Sequence, residues 1–216
     1  FIQNHHLAFT GGNEQANYRA SVSIMEHQMP VKANEYRNFT AKFDLMQQAF
    51  DHWLTINFGV FGSSLANKKI FDTQRLFYSA ASQNPTFSAH RNASGGWDVN
   101  TLASQIAHPM ALLLQKDDER GLNLNTHVTF DFALAKHLTA KIFGSYSYNS
   151  MENAQFQPTW TEAHGRAYRR ESKMEDLLGS LQLVYHHTWG VHALAFTAHS
   201  EYQKSRRQNF YTTVRG

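Results

Sequence analysis

The sequence predicts an all-β fold: an antiparallel up-and-down sheet of about eight strands, built as a segment of a larger transmembrane β-barrel. Three observations predict it. Eight stretches alternate apolar and polar residues with period two, and within each the charged residues fall on the polar phase. Connections between the stretches run short, long, short, long, as in a wall of hairpins with one plain rim and one elaborated rim. Tyr18, Trp53, Tyr148, Tyr185, Trp189 and Tyr202 lie near the ends of stretches, where interfacial aromatic girdles lie. An uncharged face on every strand is what a sheet shows when that face meets lipid.

The first strand spans about 4–11, with Leu7 and Phe9 in phase, and Gly11-Gly12-Asn13 supplies the turn. The second spans 17–25, with Tyr18, Ala20, Val22 and Ile24 opposing Arg19, Ser21 and Ser23. In the third, 37–47, Phe39, Ala41, Phe43 and Leu45 oppose Thr40, Lys42 and Asp44. In the fourth, 53–63, Leu54, Ile56, Phe58 and Val60 oppose Thr55, Asn57 and Gly59. A one-residue slip would turn Lys42 and Asp44 toward hydrocarbon, at about 2–4 kcal/mol for the lysine, so register is strongly specified. An irregular stretch over about 65–120 follows, with Pro85, Pro109 and Gly95-Gly96-Trp97, and a short helix is expected within 101–114, broken or started near Pro109. The fifth strand, 121–132, sets Leu122, Leu124, Val128, Phe130 and Phe132 against Asn123, Asn125, His127 and Asp131. The sixth, 138–149, sets Leu138, Ala140, Ile142, Tyr146 and Tyr148 against Thr139, Lys141, Ser145 and Ser147. A charged loop is expected over 150–175. The seventh strand, 176–186, carries Leu177, Leu181, Leu183 and Tyr185 in phase; the eighth, 191–203, carries Leu194, Phe196, Ala198 and Tyr202 against Thr197, His199 and Glu201.

Composition fits this reading. The 216 residues have a mean hydropathy of −0.51, which a barrel wall shares with soluble proteins because half of each strand faces a polar lumen. No run of about 18 apolar residues offers a transmembrane helix. Cysteine is absent, which removes disulfides, thiolate catalysis and cysteine zinc sites. Net charge is +3; the clusters Arg166, Arg169, Arg170, Lys173 and Lys204, Arg206, Arg207 come with no recognition helix or stacking motif, so they read as solvated loops and not as a nucleic-acid surface. Residues 1–10 have neither a basic start nor an apolar core, and the chain does not begin with Met, so both ends are expected to be internal to a longer protein.

The opening Asn4-His5-His6-Leu7-Ala8-Phe9-Thr10-Gly11-Gly12, continued by Tyr18-Arg19-Ala20-Ser21, resembles the first barrel hairpin of SusC/RagA-type TonB-dependent outer-membrane transporters. Tyr36-Arg37-Asn38-Phe39 and Asp51-His52-Trp53-Leu54 resemble the second hairpin of that family. Asn84-Pro85-Thr86 and His108-Pro109-Met110-Ala111-Leu112-Leu113 resemble two elements of its long loop, with His108 where the family usually has Asn. The resemblance implies that residues 1–216 are part of one barrel domain of about 22 strands, and that the plug, the TonB box and the remaining strands lie outside this chain. It implies import of large nutrients such as glycans or peptides across the outer membrane, a SusD/RagB-like surface lipoprotein as lid, TonB as the source of energy, and outer-membrane lipid around the wall.

No catalytic constellation stands out, no cofactor motif is present, and no enzyme activity is expected; Gly11-Gly12 and Gly95-Gly96 lack the lysine and helix of a phosphate loop. The thirteen histidines include the pairs His5-His6 and His186-His187, whose side chains point to opposite faces of a strand and cannot easily share a metal ion; His127 and His199 are expected to face the lumen. Phe87, Trp97, Phe156, Trp160 and Tyr168 are candidates for stacking on sugar, against ordinary loop packing, and no substrate residue is assigned. The alternative is a non-transport β-protein: a soluble carbohydrate- or protein-binding module, or a small eight-stranded outer-membrane barrel for surface interaction.

Overall fold

The computed structural model describes residues 1–31, 33–88, 90–93, 95–98, 106–159 and 165–216. Eight strands form one antiparallel sheet in simple chain order: β1 (Ile2–Gly12), β2 (Ala16–Gln28), β3 (Glu35–Ala49), β4 (Leu54–Lys69), β5 (Lys116–Ala135), β6 (Leu138–Gln157), β7 (Arg166–Trp189) and β8 (His192–Arg215). Connections 13–15, 50–53, 136–137 and 190–191 are tight and share one rim; β2, β4 and β6 end, and β3, β5 and β7 begin, at the other, long rim. At the first tight turn Asn13 Oδ1 accepts from the backbone N–H groups of Gln15 and Ala16, at 2.9 and 2.8 Å.

Directly paired residues share a face, so the register can be read across the wall. Tyr18, Leu45, Phe58, Val128, Gly144, Gly179 and Tyr202 follow one another across β2 to β8 on the outer face. One position along, Arg19, Asp44, Gly59, His127, Ser145, Leu178 and Gln203 follow one another on the inner face. The faces are the ones alternation predicts: Phe43, Ile56 and Val128 are on one side, Lys42, Asp44 and Asp131 on the other.

The sheet is a single layer. Leu122, Ile142 and Leu181, on interior strands, are 50%, 43% and 46% exposed. A sandwich would have covered them with a second sheet. Pairing runs from β1 to β8 without a β8–β1 ladder among the described residues, so these strands do not close a small barrel by themselves. The buried apolar cluster lies instead beyond the long rim, where Val31, Ile70, Leu76 and Leu112 pack together. Asn34 ties this cluster to the wall by accepting from the Ile70 N–H at 2.9 Å.

Two expectations need correction. Strands run five residues into each end of 65–120 and through most of 150–175, the two stretches read as loops: β4 runs to Lys69, β5 begins at Lys116, β6 runs to Gln157 and β7 begins at Arg166. There both faces carry charge, as in Arg169-Arg170-Glu171, so the period-two signal disappears while the backbone ladder simply continues from the paired strands below. The second correction concerns helix. An unpredicted α1 (Thr73–Ser82) opens the long connection, capped by Asp72, whose Oδ1 accepts from the Arg75 N–H at 2.8 Å. Of the helix expected over 101–114, residues 101–105 lie outside the described set, and α2 spans only Pro109–Leu112, starting at the proline.

On β6 the outward apolar run goes from Leu138 to Tyr148. That is about 33 Å of strand, or about 25 Å of height at a tilt near 40°, the height of a lipid-facing band. Aromatic rings cluster at its tight-turn edge: Trp53 meets Phe132 edge-on at 5.4 Å and Phe50 at 6.2 Å, and His187 stacks on Trp189 at 5.3 Å.

Candidate functional site

The inner face divides into two polar zones. Level with the apolar band, charges are paired across or along strands: Lys42 Nζ lies 3.0 Å from Asp44, and Lys141 Nζ lies 3.4 Å from Asp131, which also accepts from the Asn57 amide at 3.4 Å. His127 lies on this face as expected, its ring filling the space that a side chain at Gly59 would occupy. His199 also lies there, 3.6 Å from Glu201. The adjacent histidines of both pairs point to opposite faces, and no group of three or more metal-ligating side chains occurs among the described residues.

The second zone lies above the apolar band, where β4 to β8 extend past it. Asp117 is buried and accepts from the Asn153 amide at 2.7 Å and the Gln155 amide at 3.3 Å, with Lys69 Nζ at 3.4 Å. Asn67 donates to Glu119 at 3.2 Å. The next strand adds Arg166, Tyr168 and Arg170, and the surface between them and Glu119 is a hollow of about 710 Å³. This polar, hydrogen-bonded surface is the candidate functional site.

The reverse side of the wall carries ion pairs as well. Arg169 lies 3.2 Å from Glu152, Arg37 2.7 Å from Glu26, and Lys173 2.7 Å from Glu171. The Lys173 ammonium holds the Glu171 carboxyl below its ordinary value, and Glu171 in turn holds Lys173 above its own. Both side chains are partly exposed, at 42% and 30%, so water screens the pair and it contributes little to stability.

The five aromatic candidates separate in the structure. Tyr168 stands on β7, inside the hollow. Phe156 stands on β6, with its side chain on the outer face beside Ala167 and Lys116. Trp160 lies outside the described residues. Phe87 and Trp97 pack on His108, at 5.7 Å and 4.9 Å between ring centres, and the Arg91 guanidinium lies 5.3 Å from the Trp97 ring. These two rings therefore brace the long connection. His108 is its keystone: Nδ1 accepts from the Met110 N–H at 3.2 Å as the cap of α2, and Nε2 lies 2.9 Å from the Ser88 carbonyl. A neutral ring protonated at Nε2 satisfies both bonds. An asparagine at this position would keep the cap and lose the stack. His108→Asn is thus expected to cost less than His108→Ala, which should lose about 1 kcal/mol for the cap and more for the vacated ring site; limited proteolysis within 70–115 reads the difference.

Of the second zone, sequence reasoning named only Tyr168, as a stacking candidate; it read 150–175 as a loop and so had no facing to assign to Asn153, Gln155 or Arg170. The available signal was the pair of amides Asn153 and Gln155, spaced by two as on one strand face.

No family model matches the chain. It is 24% identical, over 99% of its own length, to the protein named TonB-dependent receptor P3 of Formosa agariphila, of which it covers 22%. Among solved structures it aligns over its whole length with the RagAB peptide transporter at a TM-score of 0.69 and 13% identity, covering 26% of that chain. It aligns over 97% of its length with FpvA of P. aeruginosa, solved with bound pyoverdines, at a TM-score of 0.60 and 9% identity. The chain thus spans about a quarter of the length of each. The eight-stranded sheet has the fold of a TonB-dependent receptor barrel segment, as the resemblance implied.

Proposed function

We propose that this chain is wall and outer vestibule of a SusC/RagA-type TonB-dependent outer-membrane transporter that imports large nutrients, glycans or peptides. One observation carries the reading: a single-layer sheet with an uncharged outer band about 25 Å high and a charged, hydrogen-bonded inner face. Such a sheet has no aqueous core to bury its Leu, Ile and Phe residues, and lipid is the solvent that accommodates them. The unpaired backbone edges of β1 and β8 would be costly in hydrocarbon, so this reading requires further strands on both sides. The similarity to the RagAB peptide transporter supports a SusD/RagB-like lipoprotein as lid, resting on the long rim, with TonB supplying energy through a plug.

The full-length protein tests this. In outer membranes it should run as a compact species on gels before heating and as an extended one after, and uptake of its nutrient should stop when the proton-motive force is collapsed or TonB is deleted. A full-length protein that stays monomeric and cooperatively folded in plain buffer without detergent would refute the proposal.

A further inference from the structure

Resting on the transporter reading, we infer that the vestibule binds an anionic glycan, a sulfate- or carboxylate-bearing oligosaccharide, through Arg166 and Arg170 on β7, with Tyr168 between them. The first support is position. Arg166, Tyr168 and Arg170 alternate with outward residues on β7 and so point inward together. From Leu177, the last apolar residue of the outer band on β7, to Arg170 is a run of seven residues, about 23 Å of strand. The arginines therefore stand above the lipid zone, where a ligand arriving from outside first meets the wall.

Charge pairing is the second support. On the outer face at this height Arg169 and Lys173 each meet a carboxylate. On the inner face Lys69 is matched by Asp117, and Glu119 is engaged by the Asn67 amide. Arg166 and Arg170 meet no carboxylate among the described residues. Arg166 stands directly across the ladder from Arg215, and Arg170 across from Tyr211. Like charges set directly opposite each other are destabilising unless an anion lies between them. The neighbouring strand supplies amides and not acids: Gln157 faces Arg166, and Asn153 faces Arg170.

Chemistry selects the anion's class. A guanidinium matches sulfate and carboxylate with two parallel hydrogen bonds. Asn153 and Gln155 line the hollow beside Tyr168; amides pair with hydroxyls, and a phenol ring offers a flat surface to a sugar face. Anion binders, hydroxyl binders and a ring side by side fit a charged saccharide better than an acidic peptide.

The experiment uses purified full-length transporter without its lid protein, at about 150 mM salt, where attraction between exposed charges more than about 8 Å apart is largely screened. Binding is measured by calorimetry to three probes: a sulfated dextran hexasaccharide, its unsulfated counterpart, and hexaglutamate. The expected result is preference for the sulfated sugar, reduced about tenfold or more in R166Q/R170Q. The outward-facing double variant R169Q/K173Q, which removes the same charge from the same strand, should bind like the parent. Equal binding of both sugars, binding of hexaglutamate as tight as the sulfated sugar, no binding of any probe, or equal losses in the two double variants would each overturn the inference. Heat-modifiable migration of the same preparations separates the two claims: a folded barrel that fails to discriminate sinks only the anion site, whereas a chain that forms no barrel sinks the transporter reading and this site with it.

Discussion

Phe43→Arg in the full-length protein is expected to impair membrane folding severely, while Lys42→Leu at the adjacent position leaves it nearly intact. Phe43 lies on the outer face in the middle of the band, paired across the ladder with Ala20 and Val60 and 6.4 Å from the Phe58 ring. No carboxylate shares that row, which runs on through Thr126, Tyr146 and Leu177 to Lys204 on the edge strand β8. An arginine there has nothing to pair with but lipid, at about 2–4 kcal/mol near the midplane. Lys42 faces inward, half-exposed, beside Asp44; removing one partner of a solvated pair costs about 0–1 kcal/mol. By polarity alone the two substitutions are opposite and comparable, and a soluble sheet with water on both faces would tolerate both. Folding into lipid vesicles, followed as the urea midpoint of the compact gel species, measures the difference. Equal losses would mean that the outer face does not meet acyl chains.

The same two faces explain how much of the wall could be read from residues. Inside the band, hydrocarbon forbids charge on one side, so Lys42 and Asp44, or His127 and Asp131, mark the inner phase without ambiguity. Above the band water lies on both sides, and the constraint is gone. Arg169, Arg170, Glu171 and Lys173 then follow one another with no phase at all, although the backbone there is as fully paired as anywhere else. The eight lower strands were legible for this reason, and the extensions of β5 to β8 were not. With those extensions went the candidate site, since facing is what gives Arg166, Tyr168 and Arg170 a common direction. The long connection was legible only in part. Its Pro109 start was readable from proline's preference for the first turn of a helix, but α1 buries only Leu76 and Ser79, too little apolar periodicity to announce a helix.

Gly12→Val should be the most damaging single change at the tight-turn rim. Gly12 ends β1 with φ at +147°, a conformation that side-chain-bearing residues rarely adopt. A Cβ there would press on the Ala16 carbonyl oxygen and lie 2.5 Å from the Asn17 Cα, both backbone atoms that cannot swing aside. The strained dihedral alone costs about 1–3 kcal/mol, and valine adds two branches to the crowding. The turn would have to open, and the bonds from the Gln15 and Ala16 N–H groups to Asn13 would be lost with it. Register is then at risk, because a one-residue slip of β1 against β2 would send Leu7 and Phe9 into the lumen and His6 toward lipid. Gly62→Val is the matched control. Gly62 sits in the middle of β4 on the outer face with open space where its side chain would be, so valine there should be neutral or mildly stabilising. Folding yields in vesicles should therefore fall steeply for Gly12→Val and hold for Gly62→Val; comparable losses would place the turn elsewhere and undo the register on which the facing of every residue in the first hairpin depends.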